Sequence, residues 1–359
     1  MRHSSACLPA ISMITLLFGS CSFSATGADL PYQNMVVFGD SLSDNGNLYA
    51  ATGGIFPAPY PTPPFPSSVN YTSGRLTDGP DTTPASAISG LWNEQLSGKI
   101  GLPVSAPAAG GGTNYAFGGA ETGGNVTISN TLGTVTAIGM AEQVGGFLTG
   151  KASVPSNSLY VFWGGANDIF DASSGTGART AAASALTNVT NEIATLASEG
   201  GKYFLWVDLP PLDQTPAGRA STFQSDLAAA SQSFNAGWKN MSIPALEAQF
   251  PGISITGVDV YSLFEQILLN PAAYGFSNVT DPAQGNSAVN PDQYLFWDMD
   301  HPTTAGDALV ADLAAQDLDV TLAPEPASMT LFAIGLGLVA IGLRRKCRTL
   351  PPVRSDAAS

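Results

Sequence analysis

Met35-Val36-Val37-Phe38 runs directly into Gly39-Asp40-Ser41-Leu42-Ser43-Asp44-Asn45-Gly46-Asn47. Four apolar residues, a glycine and then a polar turn read as a strand buried on both faces and ending at its carboxyl edge. Three later stretches have the same form. Leu159–Trp163 leads into Gly164-Gly165-Ala166-Asn167-Asp168, Tyr203–Val207 into Asp208-Leu209-Pro210-Pro211, and Ile253–Val258 into Asp259. Helix-like stretches lie between and after them: Ala-rich Thr180–Ser198, a longer Ser221–Phe250 broken near Pro244, and a final Asp307–Leu318. Alternating strands and helices predict an α/β sandwich with a parallel sheet. Sites in such sheets form beyond the carboxyl ends of the strands, where the polar residues cluster here.

Two segments interrupt the alternation. Gly53–Ser68 is rich in proline and aromatic residues, and Gly110–Thr136 is rich in Gly, Thr and Asn. Each reads as a surface connection or as a loop over a site.

Composition narrows the chemistry. The 359 residues include two histidines, His3 and His301, and three cysteines, Cys7, Cys21 and Cys347. A histidine-rich zinc site is therefore excluded, and the middle of the chain has no thiol for a nucleophile, a disulfide or a cysteine metal cluster. A formal net charge of −15 argues against a nucleic-acid partner. No metal or cofactor is expected.

The ends read as addresses. Arg2, the apolar stretch Ala6–Phe18 and small residues around Ala25–Ala28 predict a signal peptide over 1–28, cleaved after Ala28. Phe18-Gly19-Ser20-Cys21 also has the outline of a lipoprotein cleavage site, with Phe a poor residue at its first position. Near the other end, Pro324-Glu325-Pro326 precedes the apolar run Ala327–Leu343 and the basic residues Arg344, Arg345, Lys346 and Arg348. This order, over 324–348 with 349–359 as a tail, resembles the PEP-CTERM sorting signal. The resemblance implies exosortase processing, with the apolar helix in the inner membrane before processing and the protein at the cell surface or outside afterwards. An ordinary tail anchor is the alternative. The remaining body, 29–323, carries 7 Lys and Arg against 26 Asp and Glu, a balance suited to solubility.

Within that body, Ser41 stands where a strand turns toward a helix, so its hydroxyl is presented and its N–H can face an oxyanion. A serine hydroxyl needs a base. Asp298-Met299-Asp300-His301-Pro302 supplies the sole histidine of 29–323 and two carboxylates. Asp298, three residues before His301, is better placed than adjacent Asp300 to hold the other imidazole nitrogen. Pro302 restricts His301 to an extended or turn conformation, and Thr304 with Asp307 predicts a capping box for the last helix. A histidine base of ordinary pKa would give an activity that falls below about pH 6–7. Asn167 offers a side-chain N–H, and Asn114-Tyr115-Ala116-Phe117-Gly118-Gly119-Ala120 offers glycines that let backbone approach a substrate. Ser41 N–H, Gly119 N–H and the Asn167 side chain would make three donors to an oxyanion. Asp168 is expected to hold its loop.

These blocks, in this order, resemble the SGNH (GDSL) esterase/lipase family, in its lipase/acyltransferase-like branch. Gly74–Pro80, Leu91–Glu94, Leu209–Leu212 with Thr215-Pro216, Phe234-Asn235 and Asn270-Pro271 with Tyr274–Phe276 extend the likeness over about 34–318. It implies a flavodoxin-like three-layer αβα sandwich with a parallel central sheet. It also implies Ser41 as nucleophile, His301 as base, Asp298 as its orienter, and Ser41, Gly119 and Asn167 as oxyanion hole, with Gly118 the alternative glycine. The Gly-x-Ser-x-Gly elbow of α/β-hydrolases is absent. The expected function is exported carboxylic ester hydrolysis on a small-molecule or lipid ester. Acyl transfer, deacetylation of an acylated polysaccharide, or a non-catalytic matrix role are the alternatives.

Overall fold

The computed structural model describes residues 30–318, apart from 58–70, 73, 79–89, 131–132, 152, 173 and 287. The expected signal peptide, sorting segment and tail, and all three cysteines, lie outside the described residues, as does most of the proline-rich segment.

In chain order the elements are β1 (Asn34–Gly39), α1 (Asn47–Ala51), α2 (Trp92–Ile100), β2 (Val126–Asn130), β3 (Gly133–Ala137), α3 (Met140–Leu148), β4 (Ser158–Trp163), α4 (Ala166–Phe170) and α5 (Gly175–Ser198). They continue with β5 (Tyr203–Val207), α6 (Pro216–Ala220), α7 (Gln224–Gly237), α8 (Ile243–Gln249), β6 (Ser254–Val258), α9 (Val260–Leu269), β7 (Asn278–Pro282), β8 (Tyr294–Phe296) and α10 (Thr304–Asp317). The four strands expected from sequence form one sheet in the order β1-β4-β5-β6. Every neighbouring pair in it is parallel. Residues 113–117 run along the free edge of β1: Val37 N–H donates to Thr113 O (3.0 Å) and Tyr115 N–H to Val37 O (2.7 Å). Counting that row as the second strand gives the order 2-1-3-4-5 of flavodoxin-like sheets.

Side chains alternate across the sheet, so each strand feeds two cores. Val36, Phe38, Tyr160, Phe162, Phe204 and Trp206 face α3, α5, α7 and α8, where Ala178, Ala182 and Ala185 let α5 approach closely. Met35, Val37, Leu159, Val161, Trp163, Leu205 and Val207 face the other way, onto α2, α9 and α10. This is the expected three-layer αβα sandwich. Such double burial explains why β1, β4 and β5 are nearly continuously apolar, while the edge strand β6 is apolar only in part.

Three local expectations change. The long helical stretch breaks earlier than Pro244, in a π turn over Trp238–Ser242. The last helix is capped one residue earlier than expected: Thr303 Oγ1 accepts from Gly306 N–H (3.2 Å), while Thr304 N–H donates to Asp78 Oδ1 (2.7 Å). A tertiary carboxylate has displaced the local capping box. Finally, Gly110–Thr136 contains an antiparallel hairpin, β2–β3, outside the main sheet.

Candidate active site

Ser41 lies in the turn that follows β1. Asp40 O accepts from Ser43 N–H (3.1 Å) and Asp44 N–H (3.0 Å), and Asp40 Oδ1 accepts from Leu42 N–H (3.0 Å). The turn is then locked from behind by buried side chains. Asp44 accepts from the N–H groups of Gly46 (2.8 Å), Asn47 (2.6 Å) and Leu48 (2.9 Å), and from the remote Gly118 (2.8 Å). Asn114 Nδ2 donates to Ser43 O (2.7 Å), and Asn47 Nδ2 donates to Asn114 O and Ala116 O (both 2.8 Å). These amides join the Ser41 turn to the 114–120 segment.

His301 occupies the loop between β8 and α10. The loop closes on itself, with Trp297 N–H donating to His301 O (2.8 Å) and Thr303 N–H to Leu295 O (3.0 Å). Thr77 Oγ1 fixes its far side through Pro302 O (2.9 Å). Asp298 Oδ1 accepts from the N–H groups of Asp300 (2.9 Å) and His301 (2.8 Å), which aims the carboxylate at the ring. His301 Nδ1 stands 2.9 Å from Asp298 Oδ1 and 2.8 Å from Oδ2, and Nε2 stands 2.7 Å from Ser41 Oγ. Because a carboxylate only accepts, a ring proton belongs on Nδ1, and in the neutral imidazole the Ser41 hydroxyl donates to Nε2. Thus the three side chains singled out from sequence meet in one chain of hydrogen bonds. Asp298, not Asp300, contacts the imidazole.

The expected donors converge on the same cavity. Gly119 and Asn167 line it with Ser41 and His301. Gly118 N–H is engaged by Asp44, whereas among the described residues no hydrogen bond uses the N–H of Ser41 or Gly119. That difference favours Gly119 over Gly118. Gly119 has φ +77°, a backbone conformation that favours glycine, and Ile128 Cδ1 lies where a Cβ would stand. Asn167, in the first turn of α4, uses one amide N–H on Ala120 O (2.8 Å), which leaves the second for a ligand. Asp168 accepts from Thr122 N–H (3.0 Å) and Thr122 Oγ1 (2.7 Å), holding its loop as expected. The site sits outside β1 and β4, where the strand order reverses.

Electrostatics alters one expectation. Burial works to lower His301, but the carboxylates of Asp298, Asp300 and Asp40 outweigh it and hold the imidazole up to about 9. Burial works to raise Asp298, and the charge and hydrogen bonds of His301 keep it below the usual carboxylate range. Burial pushes Asp40 up to about 7. With His301 as the base, such a value would move the acid limb expected near pH 6–7 upward.

Some site residues had no signal in the sequence. Tyr71 Oη donates to Asp298 Oδ2 (2.9 Å) across 227 positions of chain. Asp44 and Asn114 were visible as parts of motifs, but their partners were not. Among the described residues no group of His, Cys, Asp and Glu could hold a metal ion.

Residues 35–314 match the model of the GDSL-like lipase/acylhydrolase family, and the chain belongs to that family. Residues 322–346 match the PEP-CTERM protein-sorting motif, which marks a protein exported to the cell envelope. An uncharacterized protein of the trpE-trpG intergenic region of Pseudomonas putida is 29% identical over 88% of this chain and 54% of its own length. The thermolabile hemolysin of Vibrio parahaemolyticus is 27% identical over 77% of this chain and 62% of its own length. The phosphatidylcholine-sterol acyltransferase of Aeromonas hydrophila is 27% identical over 76% of this chain and 72% of its own length. The chain thus spans little more than half of the first two relatives. No helix among the described residues is long and apolar enough to cross a membrane.

Proposed function

We propose that this chain is an exported serine carboxylic ester hydrolase in which Ser41, His301 and Asp298 act in sequence. The observation that carries the reading is the hydrogen-bonded chain from Ser41 Oγ through both imidazole nitrogens to Asp298. Ser41 Oγ attacks the ester carbonyl carbon while its proton passes to His301 Nε2. The carbonyl oxygen takes the electron pair and is held by Ser41 N–H, Gly119 N–H and Asn167 Nδ2. As the tetrahedral intermediate collapses, His301 returns the proton to the leaving alkoxide and an acyl-serine remains. Water, deprotonated by the same histidine, then attacks the acyl carbonyl, and as the C–Oγ bond breaks His301 returns that proton to Ser41 Oγ and the acid leaves. Asp298 keeps the Nδ1–H tautomer and stabilises the imidazolium.

A second reading is transfer of the acyl group to an alcohol other than water, as the name of the Aeromonas relative says of that protein. The two share every step up to the acyl-serine and differ only in its acceptor. Before release, the apolar run after Pro326 would anchor the chain in the membrane until an exosortase cleaves it.

The test is hydrolysis of p-nitrophenyl esters by the purified 29–323 segment. Ser41→Ala should lower kcat by about 10⁴-fold or more with the fold unchanged by circular dichroism. An unchanged rate in the folded variant overturns the mechanism. Adding a long-chain alcohol and measuring ester formation separates transfer from hydrolysis.

A further inference from the structure

The β2–β3 hairpin lies outside the sheet and contributes nothing to either of the two large cores. Its sequence nevertheless alternates. Val126, Ile128, Val135 and Ala137 point one way, while Thr127, Ser129, Thr134 and Thr136 point the other and are exposed. An isolated two-stranded ribbon is marginal in water, so it must rest its apolar face on something. Here that face joins Leu48, Leu76, Phe117 and Phe56 in a third, separate cluster. Ile128 and Val135 are directly opposed partners in the ribbon, and both border the cavity of about 650 Å³ that holds Ser41 and His301.

The chemistry of the proposed reaction gives this wall a direction. The leaving oxygen must stay within reach of His301 Nε2, because that nitrogen protonates it. On that side the cavity is bordered by Met299, Asp300 and Gln284. The carbonyl oxygen is fixed by the donors at Ser41, Gly119 and Asn167. The remaining substituent on the carbonyl carbon is the acyl chain, and it is left with the apolar lining of the cavity. Leu48, Ile55, Phe56, Ile128 and Val135 are the part of that lining on and around the ribbon. Ile128 is the hinge of the arrangement, since its Cδ1 lies against Gly119 itself.

We infer that the ribbon is the acyl-binding wall of the site and that the Ile128–Val135 pair sets acyl length, selecting medium-chain fatty acyl esters over acetyl esters. This rests on the hydrolase reading above. Each methylene that enters the groove is removed from water, which raises kcat/KM about fourfold per carbon until the groove is full. Beyond that length the chain must displace the ribbon or leave the groove, and the gain stops. Replacing Ile128 by alanine removes three carbons from the wall and opens room for about two more methylenes, while tryptophan fills it.

The experiment is a p-nitrophenyl ester series from acetyl to dodecanoyl, run on the 29–323 segment and on Ile128→Ala, Ile128→Trp and Val135→Ala. The readout is the ratio of kcat/KM for each ester to that for acetate, so that any general loss of activity cancels. The wild type should show a rising ratio with a maximum at medium length. Ile128→Ala and Val135→Ala should move the maximum to longer esters by about two carbons, and Ile128→Trp should move it to shorter ones. A flat wild-type profile, or variant profiles that superimpose on the wild type in folded proteins, overturns the inference. Failure of the hydrolase reading looks different: Ser41→Ala would then retain the wild-type rate on every ester.

Discussion

The loop that carries Ser41 and the loop that carries His301 both leave the carboxyl edge of a strand, yet they are held in different ways. Around His301 the aiming contacts are local. Asp298 Oδ1 collects the N–H groups two and three residues on, and the same carboxylate meets the ring. Around Ser41 the local turn bonds are joined by contacts from far away in the chain. Asp44 reaches Gly118, 74 positions on, and Asn114 reaches back 71 positions to Ser43. The imidazole and its carboxylate need only be turned toward one another, which three residues of backbone can do. The proposed oxyanion donors come from three segments and would have to be placed to within a fraction of an ångström, which is what buried side chains bolting those segments together would provide.

The largest expected effect attacks the local half. Asp298→Asn keeps the shape of the side chain and loses the charge and the tautomer control, so kcat should fall about 10⁴-fold while the melting temperature changes little. A loss under tenfold would mean that Asp300 can take over its role. Next comes the remote half. Asp44→Ala leaves four N–H groups, those of Gly46, Asn47, Leu48 and Gly118, without their buried acceptor. Urea unfolding should show a loss of about 3 kcal/mol or more, and residual activity should fall with it. If stability held and only activity fell, the Asp44 contacts would not be the bolt described.

A smaller effect concerns pH. His301 has a folded pKa near 9, above the ordinary 6.5. As the base it must be neutral, so kcat/KM should climb with pH up to about 9. The stability contributed by its charge runs the opposite way. It is fully present below pH 6.5 and is lost as pH rises through about 9. His301 is the sole histidine of residues 29–323. One imidazole resonance followed by NMR therefore reads this directly, and a midpoint at or below 6.5 would contradict the stated electrostatics.

The smallest effect is at Tyr71, a remote contact made directly to the Asp298 carboxylate. Tyr71→Phe removes a hydrogen bond to Asp298 and should lower kcat less than tenfold. The carboxylate left with more of its charge should hold the imidazolium more strongly, so the acid limb moves to still higher pH. A limb that stays fixed would make Tyr71 a packing residue against Trp297 and Phe56.

Much of the fold was legible because three of the four core strands are apolar on both faces and all four run into polar residues. The serine, histidine and aspartate that meet in one hydrogen-bonded chain were legible because their constraints act over a few residues: a serine after a strand, and a carboxylate three positions before a histidine that precedes proline. The cap of the last helix was misplaced by one residue because Asp78, 226 positions away, takes the N–H of Thr304. The hairpin was hidden because its turn-rich composition resembles any surface connection, and only the apolar alternation of Val126, Ile128, Val135 and Ala137 marks it in retrospect.

The sequence by itself therefore determined the class of fold and the pieces of the site, since period, burial and short-range spacing are properties of neighbouring residues. The tertiary structure decided which of the two cavity-lining glycines has its N–H engaged, because Asp44 accepts from Gly118 and not from Gly119. It also decided how strongly His301 holds its proton, because that depends on three carboxylates gathered around one buried ring. Distances between segments far apart in the chain fix both quantities, and those distances exist only after the chain has folded.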